Sequence, residues 1–289
     1  DISLPNVMRQ CLQLLATFPL LSVYGYQAYN YKSGSSLYIH APQPEHSTAE
    51  SILALLRPDS AYSYWEAHVL DICLTLHAEH GGGNNSTFTT HVVTSSGTDT
   101  YSCMAAALAS LKGPKHGGAN LKVMHQLDYI LANVEHPEDD GEVREMLRKI
   151  IRKEAGDGSG LIYGMGHAVY TLSDPRAQIL KNHARSLAYK KGYDEEYNML
   201  CSIERLAPEI FAEEKHGPKK VCANVDLFSG LIYRMLGISE DLYTPLFAIA
   251  RVPGWCAHRV EEVEYANRII RPAYKYLGEP QEYLPLEER

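Results

Sequence analysis

Four short blocks of this sequence each join an ionisable side chain to glycine or proline, the residues that let a backbone turn sharply or approach a ligand closely. They are Gly113-Pro114-Lys115-His116-Gly117-Gly118-Ala119-Asn120, Gly164-Met165-Gly166-His167-Ala168-Val169-Tyr170, Asp174-Pro175-Arg176 and Asn224-Val225-Asp226-Leu227-Phe228-Ser229-Gly230. Two histidines, a carboxylate and arginines presented on turns can abstract a proton next to a carbonyl, donate to the oxygen charge that develops, and hold an anionic partner. Simpler roles are open to the same residues. Arg176 can cap a helix or pair with Asp174, and Asp226 can be the N-cap of a helix that follows Asn224. The adjacent Lys219 and Lys220 read by themselves as a solvated charge run.

Other chemistries find less support. The run His77-Ala78-Glu79-His80 sets two imidazoles three residues apart, a spacing that matches neither H-E-x-x-H nor H-x-x-E-H, so no metal site is expected there and a structural or anion-binding role fits better. Gly164 and Gly166 lack the third glycine of a dinucleotide fingerprint, whose place is taken by Val169, and no strand precedes them. A phosphate-cradling G-x-x-x-x-G-K-[ST] and a G-x-S-x-G nucleophile elbow are both missing from the sequence.

The elements that must position these blocks read as helices. Apolar residues recur every three to four positions over Asp59–Ala78, Thr98–Lys112, Glu138–Lys153, Asp174–Lys191, Glu195–Ala212, Asp226–Met235 and His258–Tyr276, with glycine, proline or asparagine between them. Only short runs near Leu37–Ile39 and His91–Ser95 alternate with period two. An all-α protein of roughly ten helices is expected, and 289 residues suggest two folding units at about 150 residues each. With 45% hydrophobic and 21% charged residues the composition is that of a globular chain, which rules out disordered, collagenous and coiled-coil classes. The net charge of −8 argues against a surface that tracks nucleic-acid phosphates, so any bound anion must be met by a local pocket. The six cysteines are scattered without a C-x-x-C pair, as in a reducing compartment. The most apolar N-terminal stretch, Cys11–Tyr24, is interrupted by Pro19 and falls short of the roughly 18 apolar residues of a membrane span. No targeting segment is visible, and a cytoplasmic protein is expected. The first residue is Asp1, and the opening already reads as the inside of a domain.

Taken together, the blocks resemble the citrate synthase family. The resemblance rests on an ordered series of motifs from about Asp71 to Gly278: the glycine-rich His80–Thr87 segment, then GPKHGGAN, GMGHAVY, DPRA, NVDLFSG, FAIARVPGWCAH and IIRPAYKYLG. The first seventy residues match only loosely, so the chain looks like the C-terminal, motif-bearing part of such an enzyme, with the N-terminal part of the large domain missing. The resemblance implies an all-helical two-domain fold. Residues 118–237 would form a small domain inserted between the two parts of a larger one, 1–117 and 238–289.

It also implies roles. His116 would donate to the thioester oxygen of acetyl-CoA while Asp226 removes a methyl proton, and His167 would bind the carbonyl of oxaloacetate and protonate the new alkoxide. His80, Arg176, Arg251 and Arg271 would hold oxaloacetate, with Arg271 reaching into the site of a second subunit in a homodimer. Guanidinium forks suit its two carboxylates because they bond in a bidentate way. Leu161, Ile162, Gly164, Gly166 and Ala168 would offer backbone groups to CoA, and Lys219 and Lys220 would lie near its phosphates. Where many bacterial members carry basic residues after the motif histidine and after the tyrosine, this chain has Ala168 and Thr171, which removes local charged contacts to CoA. The implied reaction is condensation of acetyl-CoA with oxaloacetate and hydrolysis of citryl-CoA to citrate and CoA. No metal, permanently bound cofactor, nucleic acid or membrane is implied. The nearest alternative is 2-methylcitrate synthase, which uses propionyl-CoA, because one methylene is worth only about 1–3 kcal/mol of discrimination. A citryl-CoA-cleaving module fits less well, and a non-catalytic fragment of the same fold is the reading from a different class.

Overall fold

A computed structural model describes residues 2–166, 170–214, 221–266 and 268–289. Among them are eleven α-helices: α1 (Leu4–Lys32), α2 (Thr48–Leu56), α3 (Tyr64–His77), α4 (Asn85–Ser95), α5 (Thr100–Leu111), α6 (Ala119–Asn133), α7 (Asp140–Ile151), α8 (Pro175–Lys191), α9 (Asp194–Glu214), α10 (Asp226–Met235) and α11 (Tyr243–Tyr265). The only β-type pairing in the described residues is a single bridge between Met165 and Ala223, so the all-α expectation holds. None of these helices is long and apolar enough to cross a membrane.

Local sequence explains most helix starts. Capping boxes open α2 and α3, where Ser47 and Ser63 accept from the N–H of Glu50 and Glu66 and those glutamates reach back to the cap backbone. Asp99, Asp139 and Asp174 cap α5, α7 and α8. Helix α8 also carries Pro175 in its first turn and ends on Gly192, whose φ of 74° is the left-handed conformation that glycine adopts without a Cβ clash.

Several expectations need correction. Pro19 does not interrupt the N-terminal stretch, because α1 runs through it for 29 residues. An internal proline costs about 3 kcal/mol, and the burial of Val7, Cys11 and Val23 on one face outweighs that at about 1.5–3 kcal/mol for a large aliphatic side chain. The His91–Ser95 run lies at the end of helix α4, whose buried face is threonine; Thr90 Oγ1 donates to Ser86 O at 3.0 Å, inside the helix. Leu37–Ile39 is irregular. Helix α6 rises directly from the glycine-rich block that read only as a turn. The expected helix over His258–Tyr276 stops at Tyr265, and the segment carrying Arg271 is not helical. Pro272 accounts for this in part, since it lacks an N–H and bars the α conformation from the residue before it.

Two hydrophobic clusters fill the interior. The larger joins α2, α3 and α6 to α10, and the smaller joins Val7 and Cys11 of α1 to Leu111 of α5 and to Val252, Trp255 and Cys256 of α11. Helix α10 is enclosed by α3, α6, α8 and α9, while α11 packs on α1, α3, α4 and α5. Helix α3 contacts both, so its C-terminal end lies where the two groups meet.

Candidate active site

At that junction is a cavity of about 180 Å³, lined by His77, His80, Asn84, His116, Gly166, Arg176, Asn224, Val225, Asp226, Phe247 and Arg251. Residues from six separated stretches of sequence thus face one space. The first turns of α8 and α10 both open onto it, and the positive ends of helix dipoles favour a bound anion.

Asp226 occupies the first turn of α10. Capping of that helix is done by Asn224, whose Oδ1 accepts from the Asp226 N–H at 3.0 Å, so the N-cap role considered for Asp226 goes to its neighbour. Removal from water pushes the Asp226 carboxyl up to about 6; Arg176 and Arg251 oppose that push and Asp174 adds to it. A carboxylate with that affinity for protons is suited to general base work near neutral pH.

Arg251 is 1% exposed on α11, with its guanidinium over the Phe247 ring at 4.9 Å from the centroid. Its Nε donates to His77 O at 2.7 Å, and Nη1 is buried without a hydrogen-bond partner. Burial lowers its affinity for protons, to about 10, yet it stays charged at neutral pH. A buried guanidinium nitrogen left unpaired is costly unless an anion completes it. Arg176 faces the same cavity, and it also forms the pair with Asp174 that its sequence position allowed, through Nε to Oδ1 at 3.1 Å and Nη2 to Oδ2 at 2.8 Å. Both roles coexist, because Asp174 is fully buried and fixes one edge of the fork.

His116 sits on the turn between α5 and α6. Gly117 beside it is required: a Cβ there would collide with the backbone oxygen of Leu111. Burial, reinforced by the charge of Arg251, lowers the His116 pKa, which keeps the ring neutral near pH 7. Its Nε2 lies 2.9 Å from Ser86 Oγ, which also accepts from Trp255 Nε1 at 3.1 Å and is 3.0 Å from Asn84 Oδ1. A serine side chain thus meets the second ring nitrogen. Ser86, Trp255, Asn84 and Phe247 were given no role, although the first and third lie in the His80–Thr87 segment and the other two in FAIARVPGWCAH; membership of those motifs was the signal that could have found them. His77 is fully buried, and its Nδ1–H donates to Cys73 O at 2.7 Å in the preceding helical turn. Burial lowers its pKa to about 4, so it faces the cavity as a neutral ring.

The loop before α8 is only partly described. Gly166 lines the cavity with φ 106°, its N–H donating to Cys222 O at 2.8 Å and its carbonyl accepting from Asn224 Nδ2 at 3.0 Å. Gly164, at φ 79°, lies against Leu227, where a Cβ would come within 2.9 Å of the Leu227 Cα. Leu161 is half exposed, with its carbonyl bound by Gln126 Nε2 at 2.9 Å, and Ile162 is buried. These three flank the cavity without lining it. His167, Ala168, Lys219 and Lys220 lie outside the described residues. Arg271 lies in the exposed C-terminal segment and does not line the cavity; the nearby Ile270 N–H donates to Ser95 Oγ at 3.0 Å.

Fold and cavity together define a helical protein in which two arginines, a neutral imidazole and a proton-avid carboxylate share one cleft. The family model described as "Citrate synthase, C-terminal domain" matches residues 3–273, and the chain belongs to the citrate synthase family. A citrate synthase of Synechocystis is 44% identical over 224 residues, covering 77% of this chain and 52% of that protein. A 2-methylcitrate synthase of Shewanella oneidensis is 36% identical over 279 residues, covering 96% of this chain and 67% of that protein. The solved citrate synthase of Thermoplasma acidophilum, a ternary complex with carboxymethyl coenzyme A and oxaloacetate, superimposes with a TM-score of 0.81 at 30% identity, covering all of this chain and 71% of that one. The chain spans about half the length of the Synechocystis relative.

Proposed function

We propose that the chain carries the chemistry of a citrate synthase: condensation of acetyl-CoA with oxaloacetate, then hydrolysis of citryl-CoA to citrate and CoA. The observation that carries this reading is the placement of Asp226, with its raised pKa, in one cavity with His116 and the unpaired Nη1 of Arg251. Asp226 takes a proton from the acetyl methyl. That methyl is a very weak acid, so the enolate oxygen must be met at once by a donor in a site shielded from water. His116 is that donor. When the Ser86 hydroxyl turns its one proton from Asn84 Oδ1 to His116 Nε2, it donates a hydrogen bond there, and the neutral ring keeps its own proton on Nδ1 and presents it to the thioester oxygen. Arg251 and Arg176 hold the carboxylates of oxaloacetate, His80 adds a contact, and His167 donates to the ketone that the enolate attacks and protonates the alkoxide.

Backbone groups of Leu161, Ile162, Gly164, Gly166 and Ala168, with Lys219 and Lys220, serve the CoA moiety, a cosubstrate and not a resident cofactor. Residues 118–237 act as a small domain closing on 1–117 and 238–289. That closure brings Arg176 and Asp226 toward Arg251 and excludes water. Arg271 completes the site of a partner subunit in a homodimer, and the protein works in the cytoplasm. Acetyl-CoA is favoured over propionyl-CoA by the identity to citrate synthases, and the 36% identity to a 2-methylcitrate synthase supports the second reading. Release of CoA thiol with oxaloacetate and each acyl-CoA decides between them by the ratio of kcat/KM. Silence with both, under conditions where the chain is folded, overturns the catalytic reading in favour of a non-catalytic member.

A further inference from the structure

We propose that His91, His258 and Glu261 form a binding site for a divalent transition-metal ion of the zinc class, separate from the candidate catalytic cavity. His91 of α4 and His258 of α11 are 167 residues apart in sequence, yet His91 Nε2 and His258 Nδ1 are 2.9 Å apart with the rings at 71°. A carboxylate oxygen of Glu261 lies 3.5 Å from the same His258 nitrogen, and one donor atom from each of the three falls within 4.8 Å of the others.

The outer nitrogens point to a cation between the rings. His91 Nδ1 lies 2.6 Å from Glu262 Oε2, and His258 Nε2 lies 2.7 Å from Glu79 Oε2. A carboxylate accepts and cannot donate, so each outer nitrogen carries the ring proton in a neutral imidazole. Each inner nitrogen then turns a lone pair toward the other. Two facing lone pairs, ringed by the carboxylates of Glu79, Glu261 and Glu262, repel unless positive charge sits in the gap. A shared extra proton supplies one charge, and a divalent ion supplies two while taking Glu261 as a third ligand. Carboxylates on the outer nitrogens are the arrangement that orients metal-bound imidazoles elsewhere.

Geometry and ligand type narrow the ion. Tetrahedral coordination at a Zn–N distance of about 2.0–2.1 Å sets ligand nitrogens about 3.3 Å apart, so the rings must part by a few tenths of an ångström and tilt until both lone pairs aim at the ion. Two imidazoles and one carboxylate suit zinc, cobalt or nickel, whereas magnesium and calcium prefer all-oxygen sets. An open cleft lined by Glu79, Gly81, Ala257, His258, Glu261 and Tyr265 gives access and room for water as the fourth ligand. Glu79 also accepts from the N–H groups of His80 and Gly81, so the site is tied to the turn that brings His80 into the catalytic cavity. The sequence directs a metal search to His77-Ala78-Glu79-His80, where His77 is instead committed to Cys73.

The test is calorimetric titration of the chelator-treated full chain with Zn²⁺, repeated with Co²⁺ and read by its visible absorption. One equivalent per chain with a micromolar or tighter Kd is expected, with cobalt bands of tetrahedral intensity and a raised Tm. His258→Gln and Glu261→Gln should each weaken binding at least tenfold, and Glu262→Gln about 10–100-fold through loss of the orienting carboxylate. The Glu261 side chain is 62% exposed, so that variant keeps the fold and remains informative if a histidine variant does not. Zinc binding that is unchanged in Glu261→Gln and His258→Gln would place the ion elsewhere among the 13 histidines and overturn the proposal. So would the absence of any binding below millimolar zinc, which leaves the pair holding a proton alone.

Discussion

Asp226 and His116 are tuned in opposite directions by the same burial: a carboxyl is made reluctant to ionise and an imidazole reluctant to gain a proton. The raised carboxyl has a consequence for stability. A group that binds its proton more tightly in the folded chain contributes stability below its unfolded value of 3.8, and loses it as pH rises through about 6. Above that the ionised Asp226 costs about 2–3 kcal/mol, the free energy that corresponds to the rise from 3.8 to about 6. Asp226→Asn should therefore melt higher than the wild type at pH 8 and equally at pH 3.5, while turnover falls at least a thousandfold. Equal melting at pH 8 would show that the carboxyl is not strained. Wild-type kcat/KM should fall as pH drops below about 6, when the base becomes protonated. Ser86→Ala removes the hydroxyl that serves both His116 and Trp255, leaving a buried indole N–H without its acceptor. A 10–100-fold fall in kcat is expected with a smaller change in KM for oxaloacetate; an unchanged kcat would sink the role given to Ser86.

Helix ends, more than helix bodies, make the site. The turn holding Gly164 and Gly166 is bonded to the approach to α10 through Asn224, whose N–H donates to Gly164 O at 2.9 Å. A Cβ on Gly164 meets both an unfavourable φ of 79° and the backbone of Leu227, one residue from Asp226. Gly164→Ala should lower stability by about 1–3 kcal/mol through strain and overpacking, and reduce kcat along with Tm, because α10 must shift. Retention of both would mean that the turn yields instead. Pro19 is a contrasting case, remote from the site. Pro19→Ala restores a helical N–H and should raise Tm with no effect on activity.

Taken whole, the molecule divides its charges between helices that pack in separate groups. Arg251 belongs to α11, while Arg176 and Asp226 belong to α8 and α10. Arg271 does not line the cavity that these residues share, and the family resemblance assigns it to the site of a second subunit. Complementation tests this directly. Arg271→Ala and Asp226→Asn variants, each inactive alone, should recover about a quarter of wild-type activity when mixed under subunit exchange, since half the dimers are mixed and each has one intact site. No recovery in a confirmed mixed dimer would assign Arg271 to its own chain's site, and an Arg271→Ala variant active by itself would assign it to no site.

The sequence by itself determined the helical class, most helix starts and the motif residues. Caps, apolar periodicity and glycine turns act over a few residues, and their physics is contained in a local window. That is why the helices starting near Asp174 and Asp226 were legible, while His80, His116, Arg176, Asp226 and Arg251, named from the motifs of the family resemblance, are found around one cavity. Where competing long-range terms were involved, local reading went wrong. Pro19 lies within a helix because a buried face outweighs it, and His91–Ser95 is helical because α4 packs on α5 and α11. Tertiary structure alone decided that Ser86 meets His116 across 30 residues, that Arg251 keeps a nitrogen unpaired, and that His91 faces His258. Desolvation and hydrogen-bond satisfaction depend on which surfaces the folded chain brings together, and no spacing along the sequence encodes that.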